Sequence, residues 1–261
     1  MDLTTLFNKR TANNIQRFSV RVWLSFAQFL KLRKISPSPL DKLGPLYHEY
    51  SFFGIANKQR RKYVENQKVK SPIIIAYIAY AIAKSKHDSF DLISFTELFC
   101  ADGYYAMVAA NLGCDKSIGI DNNRDGHFTS VRLIAETLNL GSGISFIEET
   151  ITPTSSFEST DIVANVGGLY HLDNPEEILV LSYQKAKKYL IVQTVVSLAT
   201  EDENYFEYPA PGWTWGNRYS RNSFDKLIRR LFPKIIYSHF NELKGNYRLE
   251  DKGSVYYLIE K

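Results

Sequence analysis

Two carboxylates and one glycine stand where they could bind a polar ligand. Glu97 lies within a short apolar segment, residues 92–99, and Asp121 directly follows a second one. Gly103 ends the turn between the segments, where left-handed backbone angles leave free N–H groups at the start of the next helix. An acid at the tip of the second strand can accept hydrogen bonds from a ribose. The pattern therefore predicts a strand-helix-strand unit that binds a nucleotide.

A second polar cluster follows another apolar segment, residues 160–165. It begins with Gly167 and Gly168 and continues to Tyr170 and His171. Two glycines at the carboxyl end of a strand allow the backbone to approach a ligand closely, and open parallel sheets bind ligands at this edge. We therefore expect Tyr170 and His171 at the mouth of a pocket.

Aromatic and acidic residues are concentrated in the segment at residues 199–216. Clustered aromatic side chains on a loop are typical of a substrate wall, and an ordinary capping loop is the alternative. Arg218 and Arg221 could hold a carboxylate or phosphate there. The substrate-binding residues expected in this region are Trp213, Trp215, Arg218 and Tyr219.

The elements that must position these residues alternate between strands and helices. Strands are predicted at residues 92–99, 116–120, 144–147, 160–165, 189–194, 234–241 and 253–260, and helices at 104–112, 124–138, 175–187 and 220–231. Ser71 as an N-cap and Pro72 in the first turn predict the start of a further, buried helix. Such alternation predicts an α/β domain with a sheet covered on both faces.

The unit around Glu97 and Asp121 resembles motif I and the next acidic position of class I S-adenosylmethionine (SAM) dependent methyltransferases. Glu97 matches the acid that opens the family pattern E/D-x-G-x-G-x-G, and Asp121 matches the acid that binds the ribose of SAM. Phe99 and Ala101 replace the first two glycines, and only Gly103 remains. SAM carries no phosphate, so the missing glycines argue more against NAD than against SAM.

This resemblance implies a Rossmann-like sheet of seven strands in the order 3-2-1-4-5-7-6, with an antiparallel last strand, helices on both faces and an N-terminal helical extension. It implies SAM as the cofactor, and we expect no metal site. Glu148 would face the adenine amino group, and Tyr47 and Phe53 would bind the substrate as part of a lid that folds over the cofactor. The cofactor-binding residues that it implies are Glu97, Phe99, Cys100, Ala101, Asp102, Gly103, Asp121, Asn122, Glu148, Asn165 and Gly167.

Residues 167–175 are similar to a G-x-L-Y-H-x-x-x-P segment found in a subset of these enzymes. That subset includes the family that modifies the wobble uridine of tRNA through carboxy-SAM. The similarity implies that His171 and Tyr170 are the catalytic residues. His171 could serve as a base for a hydroxyl acceptor, and ordering the loop is its alternative role.

Positive charge is concentrated in the N-terminal part of the chain. Residues 1–70 contain fourteen Lys and Arg against four Asp and Glu, whereas residues 71–261 contain 18 against 24. We expect residues 1–70 to form a basic helical extension and lid, and residues 71–261 to form the methyltransferase domain. An amphipathic helix at residues 13–34 could pack on that domain, contact a membrane surface or bind nucleic acid.

The function that the resemblance implies is methyl transfer from SAM to an oxygen or nitrogen of a small-molecule or sugar-like, anionic acceptor. The alternatives are an RNA-modifying methyltransferase, a carboxy-SAM-dependent tRNA modification enzyme, and a non-catalytic protein with a relic SAM fold. Two cysteines favour a reducing, cytoplasmic location. The apolar run at residues 73–83 is too short for an integral membrane segment, which needs about 20 residues. A homo-oligomer is compatible with the sequence.

Overall fold

The structure is a computed structural model that describes residues 38–88 and 91–261. Within those residues the chain forms a seven-stranded sheet flanked by helices. The predicted amphipathic helix at residues 13–34 lies outside the described residues, so its partner stays a prediction. No helix in the described part of the chain is both long enough and apolar enough to cross a membrane.

The strand order is that of the predicted Rossmann-like sheet. The strands are β1 (Ser94–Leu98), β2 (Lys116–Asp121), β3 (Ile144–Glu148), β4 (Thr160–Val166), β5 (Ala186–Val196), β6 (Phe206–Glu207), β7 (Arg218–Tyr219), β8 (Ile235–Glu242) and β9 (Gly253–Glu260). β6 and β7 form a separate two-stranded hairpin. The main sheet has the order β3-β2-β1-β4-β5-β9-β8, with β9 antiparallel to both of its neighbours. The predicted order is confirmed, because β8 and β9 are the sixth and seventh strands of this sheet.

The helices begin and end close to their predicted bounds with two exceptions, the helix predicted to start at Ser71 and the helix predicted at residues 124–138, of which only Val131–Thr137 is α-helical. The helices are α1 (Arg61–Asp88), α2 (Tyr104–Asn111), α3 (Val131–Thr137), α4 (Pro175–Lys185) and α5 (Arg221–Leu231). α1 begins well before the predicted start at Ser71, passes through Pro72 and runs across the predicted boundary at residue 70. Ser71 is therefore not an N-cap, and its hydroxyl lies 2.9 Å from the Tyr105 hydroxyl. Pro72 removes one backbone donor, a loss that packing of a 28-residue helix can offset.

The sheet separates two hydrophobic cores, because alternate residues of a strand point to opposite faces. Phe95 of β1 packs with Ile74 of α1 and Met107 of α2 in the first core. Leu98 of β1 packs with Ile178 of α4 and other residues of α4 and α5 in the second. The apolar residues of β1 therefore serve both faces, as expected for a central strand.

The turn after β1 takes left-handed backbone angles at three alternate residues. The φ angle is 60° at Phe99, 51° at Ala101 and 76° at Gly103. These are the three positions at which the family pattern has glycine, so two residues with side chains occupy a conformation that favours glycine. Left-handed backbone angles raise the conformational free energy of a residue that has a Cβ by roughly 1–2 kcal/mol. Contacts elsewhere in the turn must offset that cost.

Replacing the smaller of these residues with glycine should stabilise the protein. We expect Ala101→Gly to raise the free energy of unfolding by about 0.5–1 kcal/mol, because relief of the left-handed strain exceeds the added entropy of the unfolded chain. Urea unfolding measures the difference. Ala83→Gly at an exposed position of α1 is the control and should lose about 1 kcal/mol. Equal destabilisation by both variants would show that Ala101 is unstrained.

Candidate functional site

Glu97 holds the turn after β1 against the helix that follows. It is buried in β1, and its carboxylate accepts the amide N–H of Ala106, in the first turn of α2, at 2.7 Å. Burial raises the pKa of Glu97 well above its ordinary value, and the Ala106 hydrogen bond opposes that shift. A carboxyl group at this place also faces the positive end of the helix.

Asp121 at the end of β2 is held by backbone donors on both sides. Its Oδ2 accepts the amide of Ala101 at 2.9 Å, and its Oδ1 accepts the amide of Asn123 at 2.7 Å. Burial raises the pKa of Asp121, and the same two hydrogen bonds act in the opposite direction. Each carboxylate oxygen has a second acceptor position. The half-buried carboxylate can therefore still accept hydrogen bonds from the hydroxyls of a ligand.

Phe99 covers the crevice at which the strand order reverses, between β1 and β4. A Cβ built on Gly168 would lie 2.0 Å from atoms of the Phe99 ring. The ring thus rests directly on Gly168, where any larger residue would displace it. Open α/β sheets bind ligands in this crevice. A phenyl ring therefore fills part of the space in which a ligand of such a fold would lie.

Three further predicted cofactor residues lie at the open edge of the sheet. Asn122 and Glu148 are exposed at the ends of β2 and β3, and Glu148 pairs in register with Asp121. Gly167 follows β4 with a φ of 75° and no atom closer than 3.9 Å to an added Cβ. The edge beside Asp121 is therefore lined by accessible groups.

Cys100 and Asn165 lie instead inside the protein. Both residues are fully buried. The amide of Asn165 donates to the Ser182 hydroxyl of α4 at 2.9 Å, so its side chain faces the helix layer. Burial raises the pKa of the Cys100 thiol well above its ordinary value. The structure does not bring these two residues to the edge where the resemblance places a cofactor.

A stretch before α1, residues 46–60, folds over the turn, and we name it the lid segment. The Nδ1 atom of His48 lies 2.5 Å from Oδ1 of Asp102, and the His48 amide donates to Oδ2 at 2.9 Å. The Tyr50 hydroxyl donates to the Asp102 carbonyl at 3.0 Å. All three residues are buried. Asp102 thus anchors the lid segment, and sequence reasoning misses His48 because no pattern links residues so far apart.

A cavity of about 630 Å³ opens beside the lid segment, at the carboxyl-end edge of the sheet. The predicted residues that line it are Tyr47, Tyr170, His171, Trp213, Trp215 and Arg218. Phe53 lies outside it, because its ring packs against Tyr50 and Tyr104. Tyr219 also lies outside it and faces a wider, open groove of about 920 Å³ between α4 and α5. That groove contains none of the predicted catalytic or cofactor residues.

His171 lies among aromatic rings at the cavity wall. Its ring centroid is 4.0 Å from that of Tyr170 and 4.6 Å from that of Trp215. His171 is nevertheless exposed. Desolvation, followed by the charge of Arg218, lowers its pKa to about 4. Burial raises the pKa of Tyr170 to about 12. At pH 7 the imidazole is therefore neutral and able to accept a proton, whereas the phenol keeps its own.

The guanidinium of Arg218 is engaged within the protein. Its Nε and Nη2 atoms lie 2.8 and 2.5 Å from Oδ1 of Asp251, and Nη1 donates to the carbonyls of Asn217 and Tyr170. Arg221 lies over the ring of Phe240, 4.3 Å from its centroid, and does not line the cavity. The predicted anion-binding pair of Arg218 and Arg221 is therefore not formed.

α1 supplies a polar stripe to the cavity that sequence reasoning misses. The stripe consists of Tyr63, Asn66, Gln67 and Lys70. Offsets of three, four and seven residues place such side chains on one helix face. This signal lies before the predicted helix start at Ser71, so the prediction does not use it. The loop after β2 adds Asp125 and His127 to the lining, and the ring of His127 lies next to Tyr63 of the stripe.

Comparison with known proteins identifies the fold. No family model matches the sequence, and no curated protein matches it. The N-terminal domain of EvdMO1, solved with SAH bound, is 13% identical with a TM-score of 0.54, and the match covers 90% of this chain and 95% of that one. Magnesium protoporphyrin IX methyltransferase (ChlM) from Synechocystis PCC 6803 with bound SAH is 11% identical with a TM-score of 0.57, covering 85% and 96%. The chain thus has the fold of SAM-dependent methyltransferases.

The anchor of the lid segment can be tested by removing one acceptor. Asp102→Asn replaces a charged acceptor of two buried hydrogen bonds with a neutral amide that has one acceptor oxygen, which should lower the free energy of unfolding by about 1–3 kcal/mol. Urea unfolding measures the loss, and limited proteolysis within residues 46–60 reports the lid segment itself.

The matched control is Asp125→Asn. Asp125 is exposed and makes no hydrogen bond or ion pair with the residues that the structure describes, so the change should stay within about 0.5 kcal/mol. Equal stability and equal proteolysis of the two variants would contradict the anchoring role of Asp102.

Proposed function

We propose that this protein transfers a methyl group from SAM to an oxygen or nitrogen of an anionic acceptor. The acceptor is a small metabolite or a sugar-like molecule. The observation that carries the proposal is Asp121, whose carboxylate two backbone amides hold at the end of β2 with acceptor positions left for a ribose. The cavity lies at the same edge of the sheet. The SAH bound to the structural neighbours supports the choice of cofactor.

The nucleoside end of SAM fits the residues at the ends of β2 and β3. Asp121 would hold the ribose hydroxyls, Glu148 would accept from the adenine amino group, and Asn122 lies next to Asp121. At the other end the Phe99 ring rests on Gly168, so the methionine part has to lie beside that ring or displace it. When bound, SAM supplies an electrophilic methyl group on a positively charged sulfur.

The chain's own task is to orient the acceptor and to remove its proton. Holding two reactants in line converts a bimolecular step into an effectively unimolecular one. His171 is neutral at pH 7, so it can accept the proton of an acceptor hydroxyl at the cavity wall. Tyr170 keeps its proton and can donate a hydrogen bond. The rings of Trp213 and Trp215 would exclude water from the acceptor.

The charge of the cavity lining supports an anionic acceptor. Its cationic side chains are Arg60, Lys62, Lys70, Arg218 and Arg248, and its carboxylates are Asp125 and Asp251. Asp251 is shared by Arg218 and Arg248. The lining is therefore positive on balance, which attracts a carboxylate or phosphate and repels a cation.

A non-catalytic protein with this fold is the second candidate. The observation that favours it is the Phe99 ring, which occupies the crevice that a cofactor would use. The two candidates differ in whether SAM binds and whether its methyl group is transferred. No observation on the described residues favours RNA over a small molecule as the acceptor.

Cofactor binding is the first measurement. We expect calorimetry to show binding of SAM and S-adenosylhomocysteine to the full chain, and Asp121→Ala to weaken it at least tenfold, since each hydrogen bond to a charged group contributes about 1.5–3 kcal/mol. The variant should still unfold cooperatively. Asp173→Ala, which removes an exposed carboxylate outside the cavity, should bind like the wild type. Equal affinity of both variants would place the ribose elsewhere, and no binding by the wild type would favour the non-catalytic candidate.

The base can be tested once turnover is found with radiolabelled SAM and a panel of hydroxylated carboxylates and phosphates. His171→Asn should lower kcat by about 10²–10⁴-fold and leave the affinity for S-adenosylhomocysteine unchanged. Because the pKa of His171 is lowered to about 4, wild-type kcat should be constant from pH 6 to 8 and fall only in more acidic solution.

His239→Asn is the control for that variant, because His239 is exposed on β8 and lies outside the cavity. Its kcat should equal that of the wild type. An unchanged kcat in His171→Asn would move the base to another group of the lining, which also contains the imidazoles of His48 and His127.

A further inference from the structure

The inward face of α1 changes character along the helix. At Ser71 and beyond it is buried in the first core, where Ile74 and Ile78 are fully covered. Before Ser71 the same face consists of the polar stripe and lines the cavity. A helix face that packs on protein is normally apolar. Polar side chains on this part of the face therefore require either protein partners or a ligand.

Most of the stripe has protein partners. Gln67 accepts the amide of Glu49 at 2.8 Å and donates to the Glu49 carbonyl at 2.9 Å. Asn66 donates to Asn246 and accepts the amide of Gly245, both at 2.8 Å. Tyr63 packs on Tyr47 with ring centroids 4.0 Å apart. These contacts tie α1 to the lid segment and to the loop between β8 and β9.

Lys70 differs from the rest of the stripe. Its ammonium makes no hydrogen bond, ion pair or ring contact within residues 38–88 and 91–261. Its charge acts on His171 across the cavity, since it is one of the charges that lower the pKa of that imidazole. Burial lowers the pKa of Lys70 itself to about 8. The Lys70 side chain is half-buried, so its charge is only partly hydrated, and a bound anion would stabilise it.

We propose that Lys70 forms an anion subsite of the cavity, which takes a carboxylate or phosphate group of the acceptor. The assignment to the acceptor rests on the proposed function, whereas the anion subsite stands without it. Three observations carry the subsite: the polar face of α1, the missing partner of Lys70, and the engagement of Arg218 by Asp251. An anion on Lys70 would lie in the same cavity as His171, so the rest of the acceptor would face the imidazole.

The test titrates the full chain with inorganic phosphate and, separately, with benzoate, followed by calorimetry. The wild type should bind at least one of the two anions, and the better ligand tells phosphate from carboxylate chemistry. Lys70→Met should weaken that binding at least tenfold, and Lys70→Arg should restore most of it. Lys68→Met is the matched control, because Lys68 is exposed on the same helix and pairs with Glu65. That control should bind like the wild type.

The affinity should also depend on pH in a defined direction. An anion favours the charged ammonium, so the affinity of the wild type should fall as the pH rises through about 8, and Lys70→Arg should move the loss to higher pH. The imidazoles of His127 and His171 have lowered pKa values and are neutral across that range. The lining also contains one further imidazole, four phenols, two carboxylates and four other cationic side chains. They are His48; Tyr47, Tyr63, Tyr170 and Tyr247; Asp125 and Asp251; and Arg60, Lys62, Arg218 and Arg248.

Binding of S-adenosylhomocysteine by the same variants separates the outcomes. Unchanged affinity in Lys70→Met supports an acceptor subsite. A matching loss would show that Lys70 holds the carboxylate of the cofactor, which overturns the assignment to the acceptor. Equal anion binding by Lys70→Met and Lys68→Met overturns the subsite. If the wild type binds the anions through Lys70 but does not bind S-adenosylhomocysteine, the proposed function fails and the subsite stands.

Stability distinguishes a binding lysine from a structural one. Removal of a half-buried, unpaired charge should leave the melting temperature of Lys70→Met equal to that of the wild type or raise it. A fall of several degrees would mean that Lys70 stabilises the fold, contrary to the proposal.

Discussion

Parallel pairing of β1 with both β2 and β4 brings the polar residues that follow these three strands to one edge of the sheet. Because these strands run in one direction, their carboxyl ends meet at one edge, and the turn after β1 lies beside Asp121 and the glycines after β4. The lid segment and the first turns of α1 then cover the same edge. The amides of the turn are held by acceptors of β2, because the Cys100 amide donates to the Ile120 carbonyl and the Ala101 amide donates to Asp121.

Different interactions stabilise the turn and shape the cavity. The turn combines left-handed backbone at Phe99 and Ala101 with hydrogen bonds from its amides and with the Asp102 anchor. The cavity combines aromatic walls with charges, of which Arg218 is balanced by Asp251 and Lys70 is not. A half-buried positive charge without a partner indicates a binding role for Lys70, since packing alone would favour an apolar side chain there.

Elements with a local pattern could be predicted from the sequence, and pairs of distant residues could not. Apolar segments and Gly103 predict β1, β2 and the turn, and the strand order follows from the resemblance. The contact of His48 with Asp102 spans 54 positions, and no periodicity records it. The partner of Arg218 could not be predicted either. Its sequence neighbours indicate an anion site, whereas in the structure its N–H donors bind Asp251. The predicted start of α1 at Ser71 is wrong, because Pro72 has the position expected of a first-turn proline although it lies inside the helix.

The lid segment has a kinetic consequence. It is closed by backbone hydrogen bonds between Leu46 and both Lys58 and Arg60, and it is joined to the turn through His48 and Asp102. A ligand that this segment covers would leave only after these bonds open together. Its residence time would then be governed by the opening rate of the segment, while its affinity is governed by the contacts underneath. Substitutions in the lid segment should thus change dissociation rates more strongly than equilibrium binding.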